Sequence, residues 1–139
     1  MDFVFDLEVV ADTSKGSPCR LLADLGEGII SQVEIAFPPG CANLVFVVVR
    51  QGLHQVWPTN EDNAYHWDDR VYSFGENYPV KGGDPLFILE GWSPDTFFDH
   101  YIQFSFAVLL KEPYKPPSTL DKLRAAFGLP YPPITGEKG

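Results

Sequence analysis

Apolar and polar side chains alternate along most of this chain, and the alternation constrains the fold more than any other feature. In FVFDLEVV, which runs from Phe3 to Val10, the odd-numbered residues are all apolar, whereas Asp6 and Glu8 fall on the opposite face. A side-chain period of two is typical of a β-strand that buries one face. The chain is therefore expected to fold into β-sheet.

Eight segments are predicted to be strands, because Gly, Pro, Asn, Asp or Ser separates them. They are residues 3–10, 19–25, 29–37, 43–50, 53–57, 70–74, 86–92 and 101–110. The fourth, NLVFVVVR, is apolar on both faces, which is typical of a central strand covered on both sides. Eight strands with no helix between them predict an all-β fold, an antiparallel β-sandwich or jelly roll. The pattern alone does not distinguish these folds from a closed β-barrel.

The third of these segments, IISQVEIAF, shows the clearest alternation. Its core face is predicted to carry Ile29, Val33, Ile35 and Phe37. Ser31 falls on the same face as the one polar exception.

Two connections, residues 58–69 and 75–85, are predicted to be long loops. Long loops of a compact domain often carry functional or contact residues. The first contains a candidate ligand or contact loop, made of Tyr65, His66, Trp67, Asp68 and Asp69. Trp67 could stack on a sugar while the two aspartates hold hydroxyls or calcium, but Tyr and Trp are also enriched at protein contacts.

The length and composition predict one β-domain followed by an arm. A chain of 139 residues with 45% hydrophobic residues can bury a core without a metal or a disulfide. Cys19 and Cys41 are interpreted as two free thiols, with one disulfide as the alternative. The domain is predicted to span residues 1–111, and the Pro-rich C-terminal arm residues 112–139.

Charge is distributed unevenly between these two parts. Residues 1–110 carry five Lys/Arg and sixteen Asp/Glu, whereas residues 111–139 carry five and three. An acidic body repels a phosphate backbone, so nucleic-acid binding is not expected. No membrane association is expected either, because the longest apolar run, LVFVVV, is too short to span a bilayer. MDFVFDLEVV lacks the basic start of a signal peptide, so folding in a cytoplasm is expected.

The arm is predicted to contain one short helix, residues 118–127. Ser118 is a candidate N-cap and Gly128 a candidate C-cap. Leu120, Leu123 and Phe127 form an apolar stripe at helical spacing, which must bury against the body or another chain. The candidate partner-binding residues of the arm are Tyr114, Lys115, Leu120, Lys122, Leu123, Arg124, Phe127 and Tyr131.

Enzyme chemistry has no clear signature in this sequence. The chain contains no G-x-S-x-G elbow, P-loop or dinucleotide fingerprint. His54, His66 and His100 lack the close spacing of a metal site, although ligands assembled across strands stay possible. A glycosidase pair could be drawn from the acids of the 58–69 loop, but such acids are more often solvated charge. We expect a protein that is not an enzyme, with no catalytic residue, metal or cofactor.

Three segments carry a resemblance to a known group of proteins. They are the turn at Pro38-Pro39-Gly40, the His54-Gln55-Val56-Trp57-Pro58-x-Asn60 segment, and the loop from Asp95 to His100. Residues 29–110 resemble small β-sandwich proteins encoded among the virion structural genes of tailed bacteriophages. The resemblance implies a virion component, either a capsid decoration protein or a minor head or neck protein. It supplies no catalytic residue.

Together these observations predict a non-enzymatic structural protein located in a virion. Its expected partners are the major capsid protein or another virion protein, and copies of itself, for which a trimer is one arrangement. The alternative is a carbohydrate- or receptor-binding module that uses the Tyr65–Asp69 loop.

The segment LHQVWPTN is interpreted as the structural start of the 58–69 loop. Trp57 is expected at the sandwich edge, and Pro58 is expected to end the strand because it has no N–H to donate. Asn60 is expected to start the turn. His54 is expected to pack beside Trp57, with a hydrogen bond within the sheet or to the loop around Asp99 and His100.

Overall fold

Residues 1–110 are described by the computed structural model, and they form strands and no helix. The strands are β1 (Asp2–Val9), β2 (Cys19–Asp24), β3 (Gly28–Phe37), β4 (Phe46–Gln51), β5 (His54–Trp57), β6 (Arg70–Val80), β7 (Leu86–Trp92) and β8 (His100–Leu109). All eight predicted strands are confirmed, with shifted ends. The described part of the chain contains no helix long and apolar enough to cross a membrane. The predicted arm, its helix and its candidate contact residues lie outside the described residues.

The strands form two antiparallel sheets of four, in the orders β1-β8-β3-β6 and β2-β7-β4-β5. Alternation explains which side chains enter the core, since Leu7 and Val9 of β1 are buried while Asp6 and Glu8 are exposed. One buried apolar cluster draws side chains from all eight strands, so the two sheets share a single core. The architecture is thus all-β and sandwich-like, and it is not one closed barrel.

Strand β4 is covered on both faces, as its sequence predicted. Val47, Val48 and Val49 are all buried, although consecutive residues of a strand point to opposite faces. Val47 and Val49 belong to the shared core, and Val48 faces the other way.

Strand β3 contains a β-bulge at Ser31. The pairing with both neighbouring strands skips from Ile30 to Gln32. The extra residue shifts the alternation, so Ile30 is fully buried and Ile29 is only half-buried. The prediction that Ile29 lies on the core face was therefore wrong. The Ser31 hydroxyl donates a hydrogen bond to the Ala107 carbonyl at 3.2 Å.

Strand β6 is longer than its sequence suggested. Residues 75–85 were predicted to be a loop, but β6 continues to Val80. Pro79 is tolerated because β6 is an edge strand, where a missing N–H need not pair. The extension is stabilised by Tyr78, whose ring packs 5.4 Å from that of Trp57.

Trp57 lies in the core rather than at the edge of the sandwich. Its strand β5 is an edge strand, but the indole points inward and is 3% exposed. It packs between Phe87 of its own sheet and Phe106 of the facing sheet, at centroid distances of 6.1 and 6.2 Å. Pro58 follows directly and ends the strand, as predicted.

The antiparallel order places all long connections at one end of the sandwich, called the loop end below. These connections are residues 10–18, 38–45, 58–69 and 93–99. The opposite end carries the shorter turns and the N-terminus. There the Met1 amine donates to the Val108 carbonyl at 2.9 Å, and the Val108 N–H donates to the Met1 carbonyl at 2.7 Å.

Candidate functional site

The first half of the 58–69 loop is held by one buried side chain. Gln55 is 1% exposed. Its Nε2 donates to the carbonyl oxygens of Pro58, Asn60 and Asn63, at 2.8, 3.3 and 3.1 Å. Asn60 starts a turn as predicted, because its carbonyl also accepts the Asn63 N–H at 3.1 Å. Gln55 was not predicted to hold the loop, since a glutamine in a short strand carries no signal of burial.

Tyr65 belongs to the fold rather than to a free surface. Its N–H and carbonyl both pair with Val47, at 3.0 and 2.9 Å, so the loop extends the edge of the sheet beyond β5. Its ring is half-buried against Tyr72, with centroids 4.7 Å apart. Burial, with smaller contributions from Tyr72 and Glu76, raises the pKa of Tyr65 to about 12. Its hydroxyl is therefore protonated at physiological pH.

Trp67 is covered by its neighbours. Its ring lies 4.7 Å from that of Tyr72, and the Arg70 guanidinium sits over it at 5.3 Å. This cation–π contact occupies a face that a stacked sugar would need.

Asp68 ties two loops together at the loop end. Its Oδ1 accepts the backbone N–H groups of Gly40 and Ala42, at 3.0 and 2.8 Å. Between them, Cys41 is a buried free thiol whose pKa is raised to about 11 by burial and by the Asp68 charge. Asp68 therefore holds the Pro38-Pro39-Gly40 turn through hydrogen bonds. Cys19, like Cys41, is a free thiol.

Two members of the Tyr65–Asp69 loop, His66 and Asp69, are exposed. The His66 ring lies 5.1 Å from that of Phe46, on the face of β4 that points away from the core. The five candidate residues of this loop therefore do not share one binding surface. Tyr65 and Trp67 pack toward Tyr72, while His66 packs on β4.

The other two histidines lie apart from each other. His54 is exposed, with Nδ1 3.9 Å from Glu61 Oε2, so the prediction that it packs beside Trp57 was wrong. His100 has a buried Nδ1 that finds no hydrogen-bond partner among residues 1–110. No three His, Cys, Asp or Glu side chains within residues 1–110 gather in a group that could hold a metal ion.

The 93–99 loop exposes two large aromatic side chains that sequence reasoning did not single out. Phe97 and Phe98 are 91% and 77% exposed. The loop beneath them is anchored, because Asp99 Oδ1 accepts the Ala11 N–H at 2.9 Å and the Ser93 hydroxyl donates to the Val10 carbonyl at 3.0 Å. The available signal was two adjacent Phe in a Pro- and Asp-rich connection.

The outward face of the β2-β7-β4-β5 sheet carries a buried carboxylate that the sequence analysis also missed. Glu90 is 6% exposed. Its two oxygens accept from Arg20 Nε at 2.7 Å and Arg50 Nε at 2.9 Å. Burial acts to raise the pKa of Glu90, but the hydrogen bonds and charges of both arginines outweigh it and hold that pKa below its ordinary value. The sequence feature that could have revealed this buried carboxylate was a single acid in the otherwise apolar segment LFILEGW.

Two neighbouring cavities on this face share Lys15 and together form what we call the outer-face cleft. One, of about 450 Å³, is lined by Arg20, Arg50 and Glu90. The other, of about 210 Å³, is lined by Phe46, Trp92, His66 and Asn63. Register explains the proximity, since the Phe46–Trp92 and Val48–Glu90 pairs are successive rungs on the same face.

Replacing Glu90 with glutamine should lower the free energy of unfolding at neutral pH by about 1–3 kcal/mol, the usual worth of hydrogen bonds to a charged group. Because the folded pKa of Glu90 is lowered, its ion pairs stabilise the protein above the unfolded pKa and are lost as pH falls through the folded pKa. The difference between wild type and variant should therefore shrink in acid. Urea unfolding at neutral and acidic pH measures it, and a constant difference would contradict this account.

Comparison with known proteins gives little that bears on this site. No protein-family model and no curated protein matches the chain. Among solved structures, a chain from work described as "Bacillus endospore appendages form a novel family of disulfide-linked pili" is similar, with 9% identity and a TM-score of 0.33. The similarity covers 78% of this chain and 88% of that one. A TM-score this low supports no argument about function.

Proposed function

We propose that this chain is a non-enzymatic structural protein of a bacteriophage virion that binds neighbouring subunits through its loop end and its C-terminal arm. The observation that carries the contact surface is the exposure of Phe97 and Phe98. Large aromatic side chains are enriched in protein interfaces and are costly to leave in water. The virion assignment rests on the sequence resemblance of residues 29–110.

The strand order supports a jelly roll as the finer description of the fold. Sheets ordered β1-β8-β3-β6 and β2-β7-β4-β5 contain eight strands, and six of the seven connections cross from one sheet to the other, the exception being the β4–β5 hairpin. Double-sheet jelly rolls of eight strands occur in viral capsid and lectin domains. This support is architectural, and fold alone does not specify a function.

The arm is proposed as a second contact, made with the major capsid protein or with another copy in a homo-oligomer such as a trimer. The arm carries four Lys/Arg against three Asp/Glu, which complements residues 1–110 with their sixteen acids and five bases. The described chain reaches Leu110 at the end opposite the loop end. Contacts from the two ends would allow one subunit to bridge two neighbours.

The test is binding to capsid particles assembled without this protein. Substituting Phe97→Ser together with Phe98→Ser should reduce co-sedimentation with particles at least about tenfold, since each buried Phe contributes roughly 1.5–3 kcal/mol. Deleting residues 112–139 should weaken it as well, and circular dichroism should show both proteins folded.

Leu22→Ser is the matched control, because Leu22 is 62% exposed but lies within strand β2 rather than at either end of the sandwich. It should co-sediment like wild type. Full particle binding by the Phe97/Phe98 double variant would remove the loop end from the proposal. Full particle binding by the chain that lacks residues 112–139 would remove the arm from the proposal.

The alternative, a carbohydrate- or receptor-binding module built on Tyr65–Asp69, has weaker geometric support. Arg70 and Tyr72 cover Trp67, and backbone N–H groups engage Asp68. His66 is the aromatic member of the loop that stays exposed.

A further inference from the structure

The outer-face cleft concentrates positive charge on an acidic protein. Residues 1–110 contain five Lys and Arg residues against sixteen Asp and Glu. Three of those five, Lys15, Arg20 and Arg50, line one cavity, where the acid that faces them is Glu90. One carboxylate cannot neutralise three cations, so this cavity is locally positive. It attracts an anion that the rest of the surface repels.

The two arginines of the cleft are held in place by Glu90, and each still has N–H groups that can donate to a ligand. Each contacts Glu90 through Nε, at 2.7 Å for Arg20 and 2.9 Å for Arg50. A guanidinium has five N–H donors, so the terminal nitrogens of both side chains stay available. The ionised Glu90 already fixes both side chains. Ordering them therefore costs less free energy when a ligand binds. Fixed guanidinium groups suit carboxylate or sulfate oxygens.

The neighbouring cavity has a different character. Phe46 and Trp92 lie almost parallel, with an interplanar angle of 15° and centroids 6.0 Å apart, and His66 flanks Phe46 at 5.1 Å. Asn63 and Asp62 add polar groups to the same cavity. Aromatic walls with a few polar groups fit a ring that has apolar C–H faces and hydroxyl edges. Asp62 also disfavours placing an anionic group in this half.

We propose that the outer-face cleft binds an acidic saccharide, with a sugar ring beside Phe46 and His66 and its carboxylate or sulfate between Lys15, Arg20 and Arg50. Lys15 joins the two halves, since it lines both cavities and its Nζ lies 5.6 Å from the Trp92 ring. The site lies on the face of the sheet and does not depend on the proposed virion role or on Trp67.

Isothermal titration of the full chain tests this with four probes: a uronate oligosaccharide, a sulfated oligosaccharide, a neutral oligosaccharide and sodium sulfate. The acidic oligosaccharides should bind at least about tenfold more tightly than the neutral one, and the affinity should fall with added salt. The stronger of the two acidic probes identifies the anionic group. Sulfate alone should bind far more weakly, because it cannot use the aromatic half.

Two exposed residues allow the site to be altered without disturbing the core. Lys15→Gln and His66→Ala should each weaken binding of the better acidic probe about fivefold to tenfold, since each removes one contact of the ligand. Lys81→Gln is the control, because Lys81 is exposed in the turn after β6 and lines neither cavity. It should leave the affinity unchanged.

Several results would overturn the proposal. They are the failure of both acidic oligosaccharides to bind, equal binding of the neutral oligosaccharide, and sulfate binding as tightly as the sugars. Equal losses for Lys81→Gln and Lys15→Gln would also overturn it. Particle co-sedimentation of Arg20→Gln, a change in β2 outside the loop end, should match wild type, so failure of the saccharide proposal and failure of the virion proposal are distinguishable.

Discussion

Replacing Trp57 with alanine is expected to lower the free energy of unfolding by about 3–5 kcal/mol, the usual cost of truncating a buried aromatic side chain. The indole is 3% exposed and contacts both sheets. Its ring lies within 5.4–6.3 Å of four aromatic neighbours, Phe74, Tyr78, Phe87 and Phe106. Those rigid rings cannot collapse into the space left by the indole, so a cavity should persist. Urea unfolding followed by circular dichroism measures the loss.

Trp67→Ala is the matched control for Trp57→Ala. Both residues are tryptophans at the loop end, but Trp67 is only partly buried and packs at the margin of the core, on Tyr72 and Arg70. Its loss should cost about 0.5–1.5 kcal/mol for the aromatic pair together with a smaller burial contribution than that of Trp57, and so less in total than the loss of Trp57. If the two variants lose the same stability, Trp57 is not the centre of the shared core.

The variant Gln55→Glu should lower the free energy of unfolding at neutral pH by about 3–5 kcal/mol, as expected for an uncompensated charge in a protein interior. The two side chains have nearly the same size. A carboxylate cannot donate, however, and it would face the carbonyl oxygens of Pro58, Asn60 and Asn63 that now accept from Nε2. The first half of the 58–69 loop should then exchange its amide hydrogens faster.

This penalty should depend on pH with a defined sign. Burial and the facing carbonyl oxygens raise the folded pKa of a glutamate at position 55 above its unfolded value. The charge penalty is therefore absent below the unfolded pKa, grows as pH rises and is complete above the folded pKa. Gln55→Leu is the control, because it removes the hydrogen bonds without a titrating group. Identical pH profiles for the two variants, each compared with wild type, would refute the role assigned to Gln55.

Alternation was sufficient to predict strands that bury one face, because they repeat with a period of two, and a continuous apolar run predicted β4, which is covered on both faces. Alternation failed to predict strand geometry and strand length where these depend on pairing with another strand. The bulge at Ser31 depends on the register with β6 and β8, and the sequence of β3 alone does not contain that information. The extension of β6 past Gly75 depends on Tyr78 meeting Trp57, and on Pro79 lying at an edge.

The candidate sites were harder to predict, since they join residues that are distant in the chain. Glu90 meets Arg20 and Arg50 across three strands, and neither arginine has a local signal that marks it as part of a cleft. The sequence singled out Tyr65–Asp69 as a candidate ligand or contact loop, and that role stays a prediction. Which of its side chains remain free depends on Tyr72 and Arg70, which only the fold brings near.

The pairing of Met1 with Val108 has a practical consequence for display engineering. Because this pairing lies at the end opposite Phe97 and Phe98, a peptide fused ahead of Met1 would project away from the loop end. A bulky fusion there should leave the exposed aromatic pair and the outer-face cleft accessible. Cargo inserted at Gly83, in the turn after β6, would emerge from the same end, so the scaffold offers two attachment points on a single side.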